Sequence, residues 1–205
     1  MQFNRFWRRA ALTAHVTSSV GWFGAVVAFL ALAVAGMRST TDQLMRGSYI
    51  AMQVMGWFVI VPFSAATLLT GVIQSVGTKW GLVRHYWVLS KLLITIGASM
   101  LLLLHMQVMS TVAAAATAGT LQSTHLRDPR MQLLGDAAAA AAVLFLAIIL
   151  SVFKPEGRTP FGSRSSDDVS PAGTRTPMAI AFWAAMIILV VLIVVRHLSL
   201  GLPHH

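Results

Sequence analysis

Three titratable side chains stand inside long apolar runs of this sequence: His15, Lys91 and His105. Placing such a group in hydrocarbon costs roughly 2.5–3.5 kcal/mol even on the lenient insertion scale, so each needs a role or a partner. An imidazole in that setting can bond a neighbouring helix, or it can ligate a metal or a haem iron. A lysine can snorkel back to lipid phosphates along its flexible stem. It can also meet an anion such as a porphyrin propionate, a lipid phosphate or a substrate carboxylate.

His15 shares a helix face with Ser18, Ser19, Trp22 and Val26, at i+3, i+4, i+7 and i+11. Small residues beside a tryptophan suit a flat ring that approaches the helix closely. His15, Lys91, Ser18, Ser19 and Trp22 are therefore the cofactor-binding candidates, together with His85 at the interface before the third helix. His105 follows Lys91 by fourteen residues, which returns it to nearly the same face with Thr95, Ala98, Leu102 and Met109. The rise over that stretch is about 21 Å, so Lys91 and His105 belong to opposite leaflets. His15 and His105 then differ in depth by roughly 15–20 Å and do not ligate one haem together. One site at the His15–Lys91 level, or two sites stacked across the membrane, are the arrangements left.

Metal candidates are His15 and His105, with Met109 and His125 as further ligands. Eleven methionines are present, and thioether with imidazole suits Cu(I). Copper transport or tolerance is thus an alternative to haem, although methionine in apolar helices is more often packing, and a non-catalytic accessory subunit of a membrane complex is another. The chain contains no cysteine, which excludes disulfides, thiolate metal sites and cysteine nucleophiles. No nucleotide-binding loop or zinc-protease motif occurs. Asp136 is placed at a helix start, where it can cap. No carboxylate then lies in a helix interior, which argues against a proton-coupled pump and against acid–base hydrolysis.

The elements that must position these residues are membrane helices. Hydrophobic residues make up 57% of the chain and charged ones only 10%, far below the quarter or so typical of a soluble domain. Five windows approach the roughly 20 apolar residues that a bilayer core requires, at about 10–36, 49–76, 87–112, 134–153 and 178–196. The expected fold is an all-α, polytopic transmembrane bundle of about five helices spanning 1–205, with no soluble domain and a mobile polar loop at 154–177. Pro62 should kink the second helix, with Ser64 and Thr67 available to freed backbone groups. The run from Ala137 to Ala142 offers a smooth surface for close helix packing.

Arg5, Arg8 and Arg9 ahead of an apolar run resemble a signal peptide. The uncharged stretch from Ala10 to Met37 is 28 residues, however, against about 7–15 for a signal sequence, so a retained helix is expected. With Lys91 left out as lying within a helix, lysine and arginine divide nine to five between the two sides, which places the N-terminus in the cytoplasm and the C-terminus outside. That distribution between apolar runs also accounts for the pI near 11.5 without a nucleic-acid partner. The lipid bilayer is the expected environment, with a membrane redox partner or respiratory complex as a further possible associate.

Trp87, Lys91 and Leu92 followed by an apolar run and His105 resemble the third helix of the HemJ-type protoporphyrinogen oxidases. His15 followed by Trp22 matches that family's first helix. The same residues are similar to the membrane domain of CopD-type copper proteins. They also resemble a related group of bacterial integral membrane proteins of undetermined function, which Thr70 and Gly71 fit as well. The likeness covers about 100 residues and three helices. It implies a bacterial inner-membrane protein handling b-type haem or a porphyrin, with His15 as ligand, Lys91 as companion, and electron transfer or oxidation of a lipophilic substrate as its activity. The Lys91-to-His105 spacing is longer than in HemJ-type proteins, and a fifth helix is added.

Overall fold

A computed structural model describes residues 4–77, 86–121 and 126–153. The described elements are α1 (Arg5–Arg38), α2 (Asp42–Met55), a π-helical turn (Gly56–Ile60), α3 (Val61–Val76), α4 (Tyr86–Ala118) and α5 (Arg127–Phe153). They fall within one compact unit, Met1–Gly162; the second unit, Ser163–His205, contains none of them. The expected loop at 154–177 and fifth helix at 178–196 lie outside the described residues.

Among the described residues, four helices are long and apolar enough to cross a membrane: α1, the continuous α2–α3 rod, α4 and α5. Each exceeds the roughly 20 residues that the hydrocarbon core needs, so their ends reach the polar interface. The exterior agrees with that setting. Phe58 is 78% exposed, and Leu69, Leu93, Leu104 and Val152 also face outward. Water would not tolerate such a surface, whereas lipid does.

Local chemistry sets the helix ends. The Asn4 carboxamide oxygen accepts the Trp7 N–H at 3.0 Å and caps α1, while Arg38 in its last turn suits the dipole. Only residues 39–41 separate α1 from α2, so the two form an antiparallel hairpin, with Ser39 Oγ donating to the Thr41 carbonyl at 2.8 Å. Gly119 ends α4 at φ +74°, and Thr120 N–H returns to the Ala115 carbonyl at 3.0 Å. Arg46 of α2 closes the same end, donating from Nε to the Ala116 carbonyl at 2.7 Å and from Nη2 to the Thr117 carbonyl at 3.0 Å.

Pro62 acts one turn before its own position. Its ring would strike the carbonyl of Phe58 in a regular helix. The backbone widens instead, and the Val61 N–H bonds the Gly56 carbonyl, five residues back. Ser64 was expected to serve a freed backbone group; its hydroxyl donates to the Val61 carbonyl at 2.8 Å, three residues back. The Thr67 hydroxyl is buried without a partner.

The helices close into a ring in which α1 packs on α2, α3 and α5, and α4 packs on the same three. Two apolar clusters fill it. One, at the Arg38 end, gathers Ala33, Met45, Tyr49, Met52, Met106, Met109 and Val112. The other holds Trp22, Ala25, Val26, Ile60 and Leu144.

Candidate functional site

His15 lies against α3. Its Nδ1 is 3.1 Å from Thr70 Oγ1, and the Thr70 hydroxyl donates to the Ala66 carbonyl at 2.6 Å. A hydroxyl has one proton, and carbonyl Ala66 can only accept it. While the Ala66 bond is kept, Thr70 accepts from His15, in the tautomer whose Nε2 keeps its lone pair; the ring also bonds the Thr67 backbone. Gly71 makes the approach possible: a Cβ there would sit 3.1 Å from His15 Cε1.

Ser18 and Ser19 share this face as expected, but both hydroxyls turn to the His15 carbonyl, at 3.1 and 2.7 Å. That back-bonding is common for serine in apolar helices. Trp22 is only 3% exposed and packs in the cluster with Val26, Ile60 and Leu144.

Lys91 reaches across to α5, where its Nζ donates to Ser151 Oγ at 2.7 Å; the Ser151 hydroxyl passes its own proton to the Ala147 carbonyl at 2.8 Å. The ammonium is also within electrostatic reach of His15. His15, Thr70, Lys91 and Ser151 thus form a polar layer contributed by α1, α3, α4 and α5.

His105 belongs to a second layer. Its Nδ1 is 2.6 Å from the Leu101 carbonyl and its Nε2 is 2.5 Å from Asp136 Oδ2 on α5. Both nitrogens are engaged, so neither offers a lone pair to a metal. The same contact revises the reading of Asp136. The fourth span starts at Arg127, seven residues before the expected boundary, and Asp136 is nine residues inside it. It is a carboxylate of the helix interior and not a cap. The helix interior therefore does contain a carboxylate, contrary to the expectation that disfavoured proton chemistry.

A third polar centre gathers on Arg130. Its Nε donates to the Tyr49 hydroxyl at 2.9 Å, and its Nη2 reaches the Gly36 carbonyl at 3.3 Å and Met45 Sδ at 3.5 Å. Nη1 meets the Leu121 carbonyl at 3.4 Å. The guanidinium lies 5.2 Å from the centre of the Tyr49 ring, a cation–π contact.

Among the described residues no three His, Cys, Asp or Glu side chains come together to hold a metal ion. Met109, Met106 and Met52 are buried in the apolar cluster around Tyr49. His85 and His125 lie outside the described residues. Sequence reasoning missed Thr70 as the histidine's partner and Ser151 as the lysine's, and read Asp136 as a cap. The available signals were the Thr70–Gly71 pair and a lone acid directly before six alanines. Comparison with family models, with curated proteins and with solved structures finds no match to this chain.

Proposed function

We propose that this chain is a b-type haem protein of the membrane, used for electron transfer or for oxidation of a lipophilic, porphyrin-like substrate. The observation that carries the reading is the contact of His15 Nδ1 with Thr70 Oγ1 at 3.1 Å, made possible by Gly71. In the tautomer that keeps the Thr70–Ala66 bond, Thr70 would receive Nδ1–H, as a histidine ligand's outer nitrogen is usually held, and Nε2 would be left for the iron. The Gly71 cradle orients the ring, and Lys91 at the same level supplies a cation for a propionate. When bound, haem would supply one-electron exchange, at a potential governed by its axial ligand and burial. His15 would hold the iron and Lys91 would pair with a propionate.

His15 is assigned as the ligand in preference to His105, whose two nitrogens are occupied. The HemJ-like and CopD-like likeness of the first three helices points the same way, and the nine-to-five charge bias supports a cytoplasmic N-terminus in a bacterial inner membrane. The test is paired substitution. His15→Ala should lose or destabilise the haem chromophore of the purified protein, and His105→Ala should keep it. A chromophore of normal stoichiometry in His15→Ala would refute the assignment.

A further inference from the structure

Asp136 and His105 have no place in the haem reading, yet their geometry is specific. The Leu101 carbonyl facing Nδ1 can only accept, so that nitrogen keeps its hydrogen. Nε2 and Oδ2 are 2.5 Å apart, so one proton can sit on either atom. On nitrogen it makes an imidazolium–carboxylate pair; on oxygen it makes a neutral pair of histidine and carboxylic acid. A further proton can join the ionic form only on the carboxylate, and a proton leaves the neutral form only from the carboxyl oxygen. Each exchange breaks one O–H bond and forms another with no oxidant or reductant.

Two buried hydroxyls lie between this pair and the Lys91 end of the bundle. Ser99 Oγ on α4 and Thr67 Oγ1 on α3 have no hydrogen-bond partner. Buried hydroxyls are seldom left so, and a buried water is the usual completion. Along α4, Ser99 stands about 9 Å below His105 and about 12 Å above Lys91, distances that a few bridging waters cover. Helix α3 packs on α4 and carries Thr67 one turn from Thr70. The other titratable or charged groups of the packed elements are Arg5, Arg8, Arg9, His15 and Arg38 on α1; Asp42, Arg46 and Tyr49 on α2; Tyr86 and Lys91 on α4; and Arg127, Asp128 and Arg130 on α5. The π turn and α3 contain none.

We propose that the Asp136–His105 pair is a proton-exchange site inside the membrane, connected toward the Lys91 end by a water-bridged seam through Ser99 and Thr67. The proposal is independent of haem, because the exchange needs no cofactor, and its test reads the carboxyl group directly. The full chain is reconstituted in bilayers and followed by infrared spectroscopy through an acid titration, then during exchange from H2O to D2O. A carboxylic-acid band absent from Asp136→Asn, and moved in Asp136→Glu, is expected, with a prompt deuterium shift in the wild type. Ser99→Ala, which removes only one hydroxyl, should slow that shift. Absence of any protonated Asp136 band while the protein stays folded would overturn the proposal, leaving a locked structural ion pair. Exchange as fast in Ser99→Ala as in the wild type would overturn the seam.

Discussion

Removing one member of the Asp136–His105 pair should cost far more than removing both, and the two single losses should be unequal. The side chains are 10% and 20% exposed, so the contact is close to fully desolvated. In Asp136→Leu the histidine can become neutral, with its Nδ1–H still bonded to Leu101. What remains is one unsatisfied nitrogen, worth about 1–3 kcal/mol. In His105→Leu the carboxylate loses the group that neutralises it, and breaking a buried pair in that way costs about 3–5 kcal/mol. Independent effects would sum to about 4–8 kcal/mol in the double variant. An apolar pair of similar volume is instead often neutral or stabilising in place of a buried ion pair. His105→Leu/Asp136→Leu should therefore unfold close to the wild type. Reversible unfolding in mixed micelles, titrated with sodium dodecyl sulfate, measures all four proteins. Additive losses in the double variant, or silent single variants, would show that the contact is not made as described.

Three further outcomes follow from the packing. Gly36→Ala places a methyl 2.9 Å from Cε2 of Tyr49, which is fully buried, so it should destabilise by about 1–3 kcal/mol in the same unfolding assay. Arg130→Lys keeps the charge but not the planar fork that reaches Tyr49, Gly36 and Leu121 at once, so thermal stability should fall nearly as far as in Arg130→Ala. Lys91→Met should leave stability almost unchanged, since Ser151 retains its bond to Ala147, while weakening haem retention during purification; equal haem content would make Lys91 an anchor only.

The four described spans were legible in the sequence because their signal is local: about 20 apolar residues between charges need no knowledge of neighbours. Helix ends were not. Arg127, Asp128 and Arg130 read as loop residues, yet a helix emerging into the interface no longer has to be apolar, and Asp128 in the first turn favours it. That one boundary hid the buried carboxylate, since an acid at residue three of a helix caps and one at residue ten needs a partner. Pro62 was readable as a disturbance, but the widened turn at Gly56–Ile60 was not, because it depends on where the backbone can yield. His15 and Lys91 were visible as misplaced polar groups. Their partners, Thr70 and Ser151, are 55 and 60 residues away, and neither residue type is unusual in a membrane helix. Periodicity identified the face of His15 but not the direction in which Ser18 and Ser19 turn their hydroxyls.

The absorption spectrum of the protein purified in mild detergent tests the central claim most directly. A Soret band with a sharp α-band on reduction, and extractable haem b in fixed proportion to the chain, is the predicted result. Colourless protein that yields no haem on extraction and takes up none when haem is added would contradict it.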